Sequence, residues 1–314
     1  MEKKDLSIVF MGTPEFAVAS LRALVENEFN IVGVVTAPDK PQGRGKQLGI
    51  SAIKEYALTQ NLTILQPTNL KDPAFHQELN DLAGQVQIVV AFRMLPEVVW
   101  NMPPLGSYNL HGSLLPDYRG AAPINWAIIN GEEKTGVTTF KLKHEIDTGN
   151  ILFQEEELIS KSDTVGDVYI RLMHKGAKLV VKTAEALLLG KVELSPQNVQ
   201  AEPKHAPKIF KEDCQIDWNT STDKIHDFVR GLSPYPTAWT EITGKTMKVY
   251  KVEKSEHNAA IPIGHFQILD KKELLVKTKD GCLKIKDLQL QGKRRMLAEE
   301  FLRGFQVADT NDIL

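Results

Sequence analysis

Three short runs in the first 92 residues, 6–11, 30–37 and 86–92, are apolar almost throughout; the last reads Val-Gln-Ile-Val-Val-Ala-Phe. A strand with apolar residues on both faces must be covered on both faces, which is the condition of a parallel sheet between helices. The intervening stretches 14–27, 51–60 and 72–83 carry helical patterning, with Thr13 placed to cap the first helix and Pro14 at its first position. Residues 63–65 add a short strand. Further on, strands are expected at 107–111, 136–142 and 151–159, and helices at 122–130 and 164–189. The last is amphipathic, with Val168, Leu172, Leu179 and Ala186 facing a core. Alternation of this kind defines an α/β domain with a Rossmann-like, mainly parallel sheet. No Gly-x-Gly-x-x-Gly follows any of its strands, so a dinucleotide is not indicated.

The character changes after residue 190. Pro196, Pro203 and Pro207 break up a stretch read as a linker over 190–209. Beyond it come one helix, 222–232, and five short β-type runs at 238–242, 247–252, 264–269, 274–278 and 283–290. Five strands separated by Gly, Asp and Lys suggest a small C-terminal β-barrel of the OB type. The expected organisation is therefore a domain over 1–189, the linker, and a second domain over 210–314. The formal net charge is −2, with 20 Lys/Arg against 24 Asp/Glu up to Ala206 and 18 against 16 after it. That balance excludes a protein that coats nucleic acid by charge alone and leaves the back part as the better partner of a polyanion. Cys214 and Cys282 are the only cysteines, too few for a disulfide framework or a zinc cluster. No apolar stretch reaches signal-peptide or membrane-spanning length, so a soluble, cytoplasmic chain with no membrane partner is expected, monomeric by default.

Chemistry concentrates in residues 107–123, Ser-Tyr-Asn-Leu-His-Gly-Ser-Leu-Leu-Pro-Asp-Tyr-Arg-Gly-Ala-Ala-Pro. Strand geometry puts Asn109 and His111 on one face, at a carboxyl end where open α/β sheets bind ligands. An amide donor beside an imidazole suits a site that holds a developing oxyanion and moves a proton. Asp147, in the loop 144–149, is the carboxylate that could orient the imidazole or accept a proton. Taken singly, each has an ordinary reading: a strand-end Asn, a hydrogen-bonded His, an Asx-turn. No Gly-x-Ser-x-Gly elbow is present, and neither cysteine has an activating neighbour in sequence. Direct attack of a substrate amine on an activated acyl carbon fits this set better than covalent catalysis.

Asn-Leu-His-Gly-Ser-Leu-Leu-Pro-Asp-Tyr-Arg-Gly-Ala-Ala-Pro, followed by Thr-Gly-Val-Thr at 135–138 and Asp147-Thr148-Gly149, resembles the formyl-folate-dependent formyltransferase family. Within it the chain is most similar to the members that act on charged initiator tRNA, through Phe-Met-Gly-Thr-Pro-Glu-Phe-Ala at 10–17, Thr-Ala-Pro-Asp-Lys-Pro-Gln-Gly-Arg-Gly-Lys at 36–46, Ile-Asp-Trp at 216–218 and Pro-Tyr-Pro at 234–236. The likeness runs from about residue 8 to residue 290. It implies a catalytic front domain and a tRNA-binding back domain, with 10-formyltetrahydrofolate as donor and no metal. The implied acceptor is the α-amino group of methionyl initiator tRNA, formylated for translation initiation. It further implies that Asn109 and His111 stabilise the oxyanion and that Asp147 pairs with His111 and helps remove the amine proton. Ser113, Leu114, Leu115 and Pro116 match the segment lining the folate site. One departure stands out: where the family has Ala-Tyr-Gly before Leu-Pro, this chain reads Ala91-Phe92-Arg93-Met94-Leu95-Pro96, without the glycine and a residue shorter.

For the RNA, the loop 38–48 offers Lys40, Arg44 and Lys46 against Asp39, with Gly43 and Gly45 permitting close backbone approach to phosphates. A second basic stretch, 271–295, holds nine Lys/Arg against three acids. Three other readings differ in what they leave unexplained. An amino-sugar-nucleotide formyltransferase would lack the basic loop, a formyl-folate hydrolase would not need it, and a non-catalytic RNA-binding protein would not need Asn109, His111 and Asp147.

Overall fold

In the computed structural model, which describes residues 2–42, 47–198, 202–270 and 272–304, the apolar runs form the middle of a seven-stranded sheet. Its strands are Ser7–Gly12 (β1), Asn30–Val35 (β2), Ile64–Leu65 (β3), Val86–Val90 (β4), Ser107–His111 (β5), Lys134–Lys141 (β6) and Ile151–Leu158 (β7), in the order β7-β6-β5-β4-β1-β2-β3. The pairs β1–β2, β2–β3, β1–β4 and β4–β5 are parallel. Antiparallel pairing enters at β5–β6, with His111 opposite Thr138 and Asn109 opposite Phe140. β4 is buried along its whole length and β1 from Ile8 onward, the double-sided burial that their apolar sequences require.

The chain folds as two compact units that interleave in sequence. The first comprises residues 1–120, 135–157 and 169–205; the second comprises 121–134, 158–168 and 206–314. In the first unit the helices Glu15–Glu26 (α1), Ala52–Thr59 (α2), Pro73–Asp81 (α3) and Glu97–Trp100 (α4) connect the parallel strands. Helix α1 starts later than the sequence pattern places it. Pro14 is extended (φ −82°, ψ 175°) and stands at the cap itself, so helical geometry begins at Glu15 and the Thr13 side chain provides no cap. Helix α3 is capped as its sequence suggests, Asp72 accepting from the Ala74 amide at 3.0 Å.

Pro123–Ile129 (α5) belongs to the second unit, whereas Val165–Leu188 (α6) lies in the first from Tyr169 onward. The latter packs directly on the sheet. A Cβ at Gly176 would meet Leu110 Cδ2 at 2.7 Å, and Thr183 donates to Thr139 Oγ1 at 2.9 Å. Leu110 therefore faces α6, and its neighbours Asn109 and His111 point to the opposite side of the sheet.

The second unit is built on Thr222–Leu232 (α7) and a six-stranded antiparallel sheet, Ala238–Ile242 (β8), Lys245–Lys254 (β9), Phe266–Leu269 (β10), Glu273–Lys277 (β11), Cys282–Leu290 (β12) and Met296–Leu297 (β13), followed by Ala298–Gly304 (α8). Pairing runs β8-β9-β12-β11-β10, with β13 beside β12. Five of these strands fall on the five β-type runs of the sequence; β13, two residues long, carries too little pattern to be seen there. The Ile216-Asp217-Trp218 motif alternates in, out, in. Trp218 packs edge-on against Phe266 with ring centroids 5.9 Å apart and donates Nε1–H to Thr240 at 3.0 Å. Among the described residues, no helix is long and apolar enough to cross a membrane. Because Phe266 is 1 % exposed within this core, Phe266→Ala should lower the stability of the second unit by about 3–5 kcal/mol. A denaturant titration followed by circular dichroism would measure the loss.

Candidate active site

The strand β5 ends at His111, and the chain then turns back on itself through residues 112–118. His111 Nε2 lies 2.8 Å from the Tyr118 carbonyl. A carbonyl only accepts, so Nε2 carries a proton and Nδ1 is left as the atom that can exchange one. Nδ1 faces Asp147, 3.9 Å from Oδ2, beyond hydrogen bonding but within Coulombic reach. Asp147 Oδ2 in turn accepts the Gly120 amide at 3.0 Å. Asn109, half-buried two residues before His111, has a carboxamide with no hydrogen-bond partner among the described residues. One strand, one turn and one loop thus bring together the three residues that the sequence singles out.

The turn is braced from β6 and β7. Thr138 donates to the Ser113 carbonyl at 2.6 Å and accepts the Leu115 amide at 3.3 Å, while Gln154 donates to the Leu115 carbonyl at 2.9 Å and to Thr138 at 3.0 Å. These bonds hold Ser113 and Leu115, two of the four residues matched to the folate segment. The Ser113 side chain is fully buried and its hydroxyl donates to the Asp117 carbonyl at 2.6 Å; Leu115 is 3 % exposed. Leu114 and Pro116 are half-buried and are the two whose side chains remain partly open. In the departing segment, Arg93 lies 5.6 Å over the Phe92 ring and donates to the Pro67 and Thr68 carbonyls, tying that loop to the one after β3.

The Asp147 loop has its own constraints. Asp147 adopts φ 52°, a conformation that aspartate tolerates better than most residues. At Gly149 a Cβ would sit 1.7 Å from the Lys141 carbonyl oxygen, so no other residue fits without moving the backbone. Gln197 donates to the Asp147 and Gly149 carbonyls, both at 2.9 Å, and accepts from Arg119 Nε at 3.1 Å. Thr138, Gln154 and Gln197 are not visible as site residues in the sequence. Two sit on strands as ordinary polar positions, and the third lies in the proline-broken stretch after α6.

The basic loop after β2 is a hairpin in which Lys40–Gln42 pairs with Gln47–Gly49. Lys40 is exposed at its base; Arg44 and Lys46 lie outside the described residues. Asp39 anchors this base, bonded to Lys54 Nζ at 2.5 Å and to Gln66 Nε2 at 2.8 Å. Those two donors hold its carboxyl below the ordinary carboxylate range. In the second unit, several of the 271–295 cations already have partners: Lys284 with Glu273, Lys286 with Glu253, Arg294 with Glu300 and Arg295 with Asp287. Lys271 lies outside the described residues.

A half-open amide, an imidazole with one fixed proton and a carboxylate, at the carboxyl edge of parallel strands, are a set of groups that can hold an oxyanion and move a proton. Two family models match the chain: formyl transferase over residues 6–184, and formyl transferase, C-terminal domain, over 208–306. The chain belongs to the formyl transferase family. Among its relatives is a methionyl-tRNA formyltransferase of Parabacteroides distasonis, 55 % identical over 98 % of this chain and 99 % of that one. Two solved structures share the fold. HypX from Aquifex aeolicus, in complex with tetrahydrofolic acid, matches at TM-score 0.64 and 18 % identity over 98 % of this chain, which spans 50 % of HypX. An N-formyltransferase from Helicobacter canadensis, in complex with folinic acid and dTDP-3-aminofucose, matches at TM-score 0.64 and 20 % identity over 93 % of this chain and all of that one.

The Asp39 anchor has a pH signature. A carboxyl titrating below its unfolded value contributes stability above the ordinary carboxylate range and loses that contribution as pH falls through its lowered titration. The melting-temperature gap between wild type and Asp39→Asn should therefore be open at neutral pH and close on acidification, as differential scanning calorimetry across that range would show.

Proposed function

We propose that this chain transfers the formyl group of 10-formyltetrahydrofolate to the α-amino group of methionyl initiator tRNA. The observation that carries the acceptor is similarity along nearly the whole chain, second unit included, to a relative named for that reaction. The folate is a co-substrate that brings the electrophilic formyl carbon. The chain's residues fit it: Asn109 has an amide without an internal partner to offer the formyl oxygen, and Leu114 and Pro116 are open enough to contribute apolar surface.

Asn109 donates to the formyl oxygen as the methionyl amine bonds to the formyl carbon, and His111 adds to the stabilisation of its negative charge once Nδ1 carries the relayed proton. Asp147 takes the proton the amine loses. His111, its Nε2 proton held by Tyr118, relays that proton through Nδ1 to the folate nitrogen as its bond to the formyl carbon breaks. One C–N bond forms, one breaks, and one proton passes between the two nitrogens. Phosphate contacts fall to Lys40 with Arg44 and Lys46, and to the basic stretch 271–295. The chain works in this reading as a cytoplasmic monomer.

Label from formyl-labelled folate should appear on charged initiator tRNA, rather than on a dTDP-amino sugar or on water; label on either of those would overturn the assignment. Removing one oxyanion donor costs on the order of a hundred- to a thousandfold, so Asn109→Ala and His111→Ala should lose that much single-turnover rate while remaining folded. Near-normal rates in either variant would remove it from the chemistry. Affinity for the tRNA should fall steeply with salt, and a flat salt titration would count against phosphate contacts.

A further inference from the structure

The transfer reading leaves one half-buried arrangement unused. Gln197 lies between α6 and the start of the second unit's long segment, in a stretch that shows prolines and little periodicity. It is not loose there. Ser195 and Ile151 exchange both backbone hydrogen bonds, at 2.8 and 2.9 Å, fastening this segment to the start of β7. From that footing the Gln197 carboxamide reaches two ways. Its nitrogen donates to the Asp147 and Gly149 carbonyls, at both ends of the Asp147-Thr148-Gly149 turn. Its oxygen accepts from Arg119, the residue between Tyr118, whose carbonyl fixes His111, and Gly120, whose amide fixes Asp147 Oδ2.

We infer that Gln197 is a positioning residue for formyl transfer, setting the Asp147 carboxylate relative to His111 by tying the loop of one to the turn of the other. The inference rests on the transfer reading above. Asp147 holds a left-handed backbone angle, and its Oδ2 stands 3.9 Å from Nδ1, a gap that must close during proton transfer. With its carbonyl released, the aspartate has no other bond described on its backbone to hold that angle. An offset of about an ångström between reacting groups costs on the order of a hundredfold. Only a carboxamide can hold both the loop and the turn, because a carboxylate in its place could still receive Arg119 but has no hydrogen to give the two carbonyls.

The test uses the full chain with 10-formyltetrahydrofolate and charged initiator tRNA. Gln197→Ala and Gln197→Glu should each lower kcat about ten- to a hundredfold, with KM for both substrates within about twofold of wild type. In an Asp147→Asn background, Gln197→Ala should cost little more, because its effect passes through the aspartate. Should Gln197→Ala fail to fold, Gln197→Glu, which keeps size and the Arg119 contact, carries the experiment. A Gln197→Glu enzyme with wild-type kcat, a change confined to KM, or full additivity with Asp147→Asn would each overturn the inference. Failure of the transfer reading is distinguishable: wild type would then leave the tRNA unlabelled, or Asp147→Asn alone would turn over normally.

Discussion

The site depends on a hydrogen bond that spans seven residues of chain, from the His111 ring to the Tyr118 carbonyl. It converts the end of a strand into a closed turn, fixes which ring nitrogen is protonated and commits the turn to a single path. Tyr118 meets that path with a left-handed backbone, φ 62°, and is held from the far side by its amide's bond to the Lys204 carbonyl. Without this closure the Gly120 amide would have no reason to lie over Asp147. The geometry of the candidate site is thus a property of backbone closure as much as of side-chain identity, which is why a long contiguous motif accompanies Asn109, His111 and Asp147.

The sheet supplies the rigidity that such closure needs. β5 is held by a parallel neighbour on one side and an antiparallel one on the other, and Leu110 anchors its opposite face under α6. The change from parallel to antiparallel pairing brings β6 alongside the turn, so that Thr138 stands opposite His111 and serves Ser113 and Leu115. Strand residues satisfy the backbone groups of Ser113 and Leu115, and the turn inherits the order of the sheet.

Much of this is legible in the sequence because it rests on short-range periodicity. Apolar runs announce buried strands, and a spacing of two places Asn109 and His111 on one face. Asp147 can be named from the sequence but not placed. What pins it comes from Gln197, about fifty residues later, in a stretch whose prolines read as punctuation. The cap of α1 sits one residue later than the pattern suggests because Pro14 suits either the first helical position or the extended cap, and only its ψ decides. Counting charges over 271–295 likewise overstates the free cations, since Glu253 and Glu300 lie outside that window and neutralise residues within it.

The interleaving of the two units has a consequence for how the chain is made. Asn125 of α5 donates to the Gly231 carbonyl, a bond between residues 106 apart in sequence. Arg230, 8 % exposed, donates to the carbonyls of Ser160 and Asp163, which the ribosome delivers about seventy residues earlier. Segments 121–134 and 158–168 therefore emerge long before the partners that complete them, with their apolar faces uncovered. A nascent chain ending near residue 190 thus holds two pieces of the second unit without the residues that complete them, and that unit closes only when the back of the chain has been made.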